Sequence, residues 1–212
     1  MTKPPVALNL EPVSLLGQLD PTDKLSDYFS VLQAENEKVN LVSRETIASG
    51  LPSLAAESLF PLAQISQTGF DRYLDIGSGG GFPAVPILLT SQVREATLLE
   101  RGNKKSLALE RILRALGLPR DRISVDQASF EQCTFDSQFD LITLRLVKLR
   151  PRIWRKVVSS LAGGGYFVYY SIAPDDIALA GLTPLSYCYQ IGTPPLTKYF
   201  TIFQKTRQFF VD

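Results

Sequence analysis

With 212 residues, 45% hydrophobic and 20% charged, and with 14 Gly and 14 Pro scattered along it, the chain excludes disorder, collagen and coiled coil and predicts one large domain or a domain with an extension. The net charge of +1 hides a polarity, because residues 1–75 carry 5 Lys/Arg against 10 Asp/Glu while residues 76–212 carry 17 against 11. The absence of histidine removes the Ser-His-Asp triad, the Cys-His dyad and imidazole metal ligation, and Cys133 and Cys188 read as small buried apolar residues rather than as a disulfide framework; no metal is expected.

No apolar run reaches the ~20 residues of a membrane span, and Pro4, Pro5, Glu11 and Pro12 break up any secretory core. A cytoplasmic monomer with no membrane partner is expected. In chain order, Leu25, Tyr28, Phe29 and Leu32 recur at helical spacing after a Pro21-Thr22-Asp23 start that offers a cap, and a second helix is predicted over residues 45–62. From residue 72 the texture changes to short apolar runs at 73–76, 96–99, 123–125, 139–143 and 166–170, separated by helical segments. Leu107, Ala108, Ile112, Ala115 and Leu116 line one helix face, ended by Gly117 and Pro119. Ile153, Trp154, Val157, Val158 and Leu161 line another, ended by Gly163, Gly164 and Gly165. Two antiparallel strands at 185–189 and 198–204, around Pro194-Pro195, fit the sheet edge. Buried parallel strands need crossover helices on both faces. The predicted fold is therefore α/β, a doubly wound, mostly parallel sheet over residues 71–212, with residues 1–70 as an N-terminal helical extension.

The strongest local signal is the stretch Asp75-Ile76-Gly77-Ser78-Gly79-Gly80-Gly81-Phe82-Pro83, directly after the first strand of the series and before a helix with Pro83 as its first residue. Glycine stands where backbone takes positive φ or a ligand lies against it, and open α/β sheets bind ligands at the carboxyl ends of their strands. A dinucleotide fingerprint needs Gly or Ala at its third position, where Phe82 stands, and no Lys-Ser/Thr pair follows the glycines as nucleotide triphosphate loops require. A carboxylate at Asp75 repels pyrophosphate and attracts an ammonium or sulfonium group. Glu100, at the tip of the next strand, is spaced to accept hydrogen bonds from a ribose diol. Asp75, Gly77, Ser78, Gly79, Gly81, Phe82 and Glu100 together predict a class I methyltransferase site for S-adenosylmethionine.

The string Leu74-Asp75-Ile76-Gly77-Ser78-Gly79-Gly80-Gly81-Phe82-Pro83-Ala84-Val85-Pro86 resembles the cofactor loop of the bacterial 16S ribosomal RNA guanine-N7 methyltransferases, the glucose-inhibited division protein B family. Upstream, Asn36-Glu37-Lys38-Val39-Asn40-Leu41-Val42-Ser43 resembles that family's W-N-K-x-x-N-L-T stretch, with Glu35 in place of the tryptophan. Downstream, residues 98–118 with Lys104-Lys105, and residues 140–149, resemble two further segments in the right order. The resemblance implies that backbone at Gly77 and Phe82 borders the methionyl end of the cofactor, that the amides of Phe130 and Glu131 frame its adenine, and that Arg145 stands at the mouth near cofactor and RNA. It implies 16S rRNA or the small ribosomal subunit as partner, with Arg145, Lys148 and Lys198 on the substrate side. Those last residues belong to a basic half in which Arg145, Lys148, Arg150, Arg152, Arg155 and Lys156 run with no acidic residue between Leu141 and Pro174.

Departures from the family pattern cluster on the substrate side. Leu54 stands where histidine is usual, Ser171 where lysine is usual, and Leu144-Arg145-Leu146 replaces Ser-Arg-Ala. They motivate an alternative, a diverged paralogue that binds S-adenosylmethionine or RNA without methylating rRNA or that acts on another substrate. No catalytic residue is assigned, since guanine N7 carries a lone pair and no proton, and methyl transfer to it needs alignment rather than a general base.

Overall fold

The computed structural model describes residues 5–174, 181–192 and 195–207. The apolar runs become the strands β1 (Val6–Asn9), β2 (Gly69–Ile76), β3 (Gln92–Leu99), β4 (Ile123–Asp126), β5 (Phe139–Leu144), β6 (Leu161–Tyr169), β7 (Leu182–Ile191) and β8 (Leu196–Lys205). They form one sheet in the order β1-β7-β8-β6-β5-β2-β3-β4. Strands β2 to β6 are mutually parallel, β8 runs antiparallel to β6 and β7, and β1 is parallel to β7. The helices are α1 (Pro12–Leu19), α2 (Lys24–Asn36), α3 (Leu51–Leu59), α4 (Ala84–Thr90), α5 (Asn103–Ala115) and α6 (Pro151–Ser160).

Strand alternation divides the core between the two faces of the sheet. Tyr73, Leu98, Leu141 and Val168 pack with the apolar residues of α2 to α5, while their neighbours Leu74, Leu99, Ile142 and Phe167 pack with Ile153, Trp154 and Val157 of α6. The doubly wound α/β architecture is thus the one the apolar rhythm predicts. No helix among the described residues is long and apolar enough to cross a membrane.

Several local expectations change. The N-terminal 70 residues are not all helical, since they open with β1, which adds a parallel outer strand beyond β7, so the pair β7–β8 does not close that edge. Asp23 caps nothing; its φ is +54°, and Asp20 instead accepts the amides of Lys24 at 3.0 Å and Leu25 at 2.8 Å. The helix predicted over residues 45–62 is interrupted, with a wide π turn at Thr46–Gly50 before α3 and a 3-10 turn at Leu62–Gln64 after it. On α5 the buried stripe is Ala108, Leu109, Ile112 and Leu113, so Leu107 and Ala115 face outward. Pro83 is the N-cap of α4 rather than its first residue.

Helix α6 ends at Ser160, and Gly163, Gly164 and Gly165 lie inside β6 beside a register shift against β5. A Cβ on Gly165 would come within 3.0 Å of the Asp140 carbonyl oxygen, so the glycines serve strand contact rather than helix termination. Cys133 and Cys188 are free and half-buried. Pro194 of the expected Pro194-Pro195 turn lies outside the described residues.

Candidate functional site

A cavity of about 510 Å³ opens at the carboxyl ends of β2, β3 and β5, walled by the glycine loop, by Glu100, Arg101 and Lys105, by Ala128 to Glu131, and by Arg145 to Lys148 with Arg150. The glycine loop begins where β2 ends. The amides of Gly77 and Ser78 donate to the Leu99 carbonyl, each at 2.9 Å, which curls the chain over the tip of β3. Gly79 has φ +54°, and where a Cβ would stand it meets the Gly77 carbonyl oxygen alone, at 3.9 Å, which leaves a surface a ligand can lie against. Gly81 has a different task. Its φ is +102°, and a Cβ there would meet Val85 Cγ2 at 2.7 Å and the Tyr28 hydroxyl at 2.9 Å, so it is a packing glycine and does not line the cavity as the sequence reading expects.

Asp75 lies beneath this loop rather than on the cavity surface, 1% exposed. Its Oδ1 accepts the Thr143 hydroxyl at 2.5 Å, which leaves Thr143 to accept from the Tyr73 hydroxyl at 2.8 Å. The other carboxylate oxygen, Oδ2, is buried with no hydrogen-bond partner among the described residues. Burial pushes the Asp75 carboxyl up to about 6, against the lowering effects of the Thr143 and Ser78 hydroxyls and of the Arg145 charge. A buried anionic oxygen without a donor is costly unless something cationic completes it.

Glu100 is buried yet reaches the cavity, and it is held at both oxygens. Gly79 N–H donates to Oε2 at 3.0 Å and Gly102 N–H to Oε1 at 2.7 Å, and each oxygen keeps a further lone pair. Phe130 and Glu131 open a 3-10 turn, Phe130–Gln132, on the same wall. The Ser129 hydroxyl donates to Glu131 Oε2 at 2.8 Å, and the backbone amide of Glu131 first, then that hydroxyl, hold the Glu131 carboxyl below its ordinary range.

Sequence reasoning missed what props the loop. The Tyr28 hydroxyl of α2 donates to the Gly80 carbonyl at 2.8 Å, and its ring lies 5.2 Å from that of Phe82. Helical spacing marked Tyr28 as core, and the signal available was that a buried tyrosine needs a partner for its hydroxyl. Asn36, the last residue of α2, accepts the amides of Leu41 at 2.8 Å and Val42 at 2.9 Å. That bend sets Leu41 and Val42 over Gly80, where a Cβ would meet them at 3.2 and 3.3 Å.

Across the cavity stands a cationic wall. Arg145 and Lys148 line it with Arg101, Lys105 and Arg150, five cations against the carboxylates of Glu100 and Glu131. Arg145 sits 3.9 Å from Oε2 of Glu57, a buried residue of α3 whose Oε1 accepts Lys198 Nζ at 2.6 Å and whose Oε2 accepts the Tyr189 hydroxyl at 3.3 Å. Lys198 does not line the cavity, contrary to its expected place there; it reaches Arg145 only through Glu57. Leu54 belongs to the apolar core, and Ser171 is exposed away from the cavity. Lys156 is also drawn off the basic edge, donating to the Cys133 carbonyl and lying over the Phe130 ring at 5.2 Å. The site therefore offers buried carboxylates inside and cations at the mouth. It suits a small cationic, phosphate-free ligand within and a polyanion outside.

Comparison with known proteins points the same way. The GidB family, described as rRNA small subunit methyltransferase G, matches residues 21–179. A ribosomal RNA small subunit methyltransferase G from Dictyoglomus thermophilum is 32% identical over 163 residues, 74% of this chain and 68% of the relative. One from Chromobacterium violaceum is 28% identical over 173 residues, 76% and 80% of the two chains. Among solved structures, an O-methyltransferase from Bacillus cereus in complex with SAH superposes with a TM-score of 0.65 at 17% identity, covering 92% of this chain and 96% of that one, a likeness of fold.

Proposed function

The chain belongs to the GidB family of rRNA small subunit methyltransferases, and on that premise we propose that it methylates guanine N7 of 16S rRNA, using the cavity at the glycine loop for S-adenosylmethionine. The carrying observation is Oδ2 of Asp75, without a hydrogen-bond partner among the described residues, beneath a glycine-rich turn and next to a Glu100 clamped by two amides. S-adenosylmethionine supplies a methyl group on a sulfonium and two positive charges without a phosphate.

In this reading the Asp75 charge acts on the ammonium end from beneath the loop, while Gly77 and Phe82 border the methionyl chain. Ser78 and Gly79 leave space for it. Glu100 accepts from the ribose hydroxyls with its free lone pairs, and Phe130 and Glu131 frame the adenine. Arg145 and Lys148, with their cationic neighbours, hold RNA phosphates at the mouth and fix the acceptor base. The guanine N7 lone pair gives up no proton, so a site without histidine is chemically sufficient.

We place the reaction in the cytoplasm, where ribosomal RNA is, with no membrane partner. The same reading takes the protein as a monomer. The deciding experiment incubates the protein with small ribosomal subunits and S-adenosylmethionine labelled in its methyl group, then digests the RNA. Label in 7-methylguanine is expected, and label in another nucleoside, or none, overturns the reading.

A further inference from the structure

Leu146 follows β5 at the rim of the cavity. Its φ is +59°, a left-handed conformation that is strained for a leucine, and its side chain is 90% exposed. The turn itself serves the fold, for it folds Val147 inward, with Val147 Cγ2 3.0 Å from where a Cβ on Gly77 would stand. Glycine or asparagine would make the same turn with less strain. A leucine there gains no packing in this chain. Residue choices that cost stability and bring no contact point to contact with something else.

The surroundings say what. Arg145 precedes Leu146, and Lys148 and Arg150 follow it on the same wall, so a single apolar knob stands within a cationic rim. A polyanion whose phosphates lie on those cations would bring its bases to the knob. Behind the rim the cavity is walled by Leu41, Val42, Phe82 and Val147. A base within a helix cannot enter it, and in A-form RNA the N7 edge faces a deep, narrow groove. The acceptor must therefore be unstacked.

We propose that Leu146 is an apolar wedge that presses on a base face of the bound RNA and holds the acceptor nucleotide out of its stack over the cavity, in the manner of apolar side chains that pry apart base steps. This rests on the rRNA methyltransferase reading above. It makes Leu146 a determinant of RNA engagement and leaves the cofactor pocket untouched.

The test compares wild type with Leu146→Gly, Leu146→Ala and Leu146→Phe, using small ribosomal subunits and methyl-labelled S-adenosylmethionine for turnover, calorimetric titration with S-adenosylhomocysteine for the pocket, and thermal unfolding for the fold. Leu146→Gly relieves the left-handed strain and should unfold no earlier than wild type. Both small variants should keep cofactor affinity within about twofold and lose roughly tenfold or more in kcat/KM for the ribosomal subunit, by analogy with removing one stacking side chain. Leu146→Phe should retain most of it. Equal losses in Gly and Ala assign the effect to the side chain, since only Gly changes backbone freedom. Wild-type turnover in both small variants, or a parallel loss of cofactor affinity, overturns the wedge. A wild type that labels no RNA overturns the reading beneath it as well.

Discussion

On the glycine-loop wall, polar groups are held by fixed hydrogen-bond partners: Glu100 by two amides, the Gly80 carbonyl by Tyr28, the Leu41–Val42 bend by Asn36. On the opposite wall, Lys148 and Arg150 are exposed, Leu146 projects outward, and Arg145 is held by no contact shorter than its 3.9 Å approach to Glu57 among the described residues. A small ligand with a fixed shape is bound best by a preorganised surface, because little order has to be created on binding. A folded RNA brings its own shape, and long cationic side chains that stay mobile can follow it. The two walls differ as their two ligands do.

If that contrast is right, changes on the first wall should alter the fold or the cofactor, and changes on the second should alter RNA alone. The largest effect is expected from Gly81→Ala, whose Cβ meets Val85 and Tyr28 at φ +102°; a loss of about 2–4 kcal/mol in urea unfolding is expected from overpacking and strain together. A stable Gly81→Ala protein would break the comparison at its root.

Next comes Asp75. Its carboxyl is raised from 3.8 to about 6 in the folded state. Between those values the folded chain holds a proton the unfolded chain has lost, so stability should fall as pH rises from about 4 to about 6, by roughly 3 kcal/mol, and level off above. Asp75→Asn should flatten that difference when the two proteins are unfolded side by side. Because a cationic ligand favours the ionised carboxylate, cofactor affinity should rise through the same window in wild type and not in the variant; parallel titration curves would count against Asp75 as the ammonium partner.

Tyr28→Phe should cost about 1–2 kcal/mol, since the Gly80 carbonyl is left without its donor, and should weaken cofactor binding several-fold in calorimetry. The smallest effect on stability belongs to Lys198→Ala. Lys198 is 38% exposed at the side chain, so its pair with Glu57 is worth less than about 1 kcal/mol. Cofactor affinity should be unchanged, and a several-fold lower kcat/KM for the ribosomal subunit is expected because Arg145 loses part of its support. A drop in cofactor affinity instead would place Lys198 on the wrong wall.

Much of this was legible before any coordinates. Short apolar runs marked β2 to β6, alternation marked β7 and β8, and the helical period marked α2, α5 and α6, because such patterns follow from backbone geometry and residue type that each segment carries within itself. Edges were harder. Strand β1 is four residues that acquire a partner only when β7 arrives, and the α5 stripe turned by one residue because helix α2 and strand β4 decide which face is covered.

At the site, sequence by itself determined that a glycine-rich loop follows a parallel strand with an acidic residue on either side, since glycine's freedom and a carboxylate's charge are properties of single residues. Tertiary structure alone decided that Gly81 serves packing, that Asp75 is buried with an oxygen left over, that Tyr28 supports Gly80 across 52 residues, and that Lys198 is claimed by Glu57 across 141. Those outcomes depend on which groups meet after the sheet closes, and the free energy of a polar or charged group is set by its neighbours and its exposure to water rather than by its place in the chain.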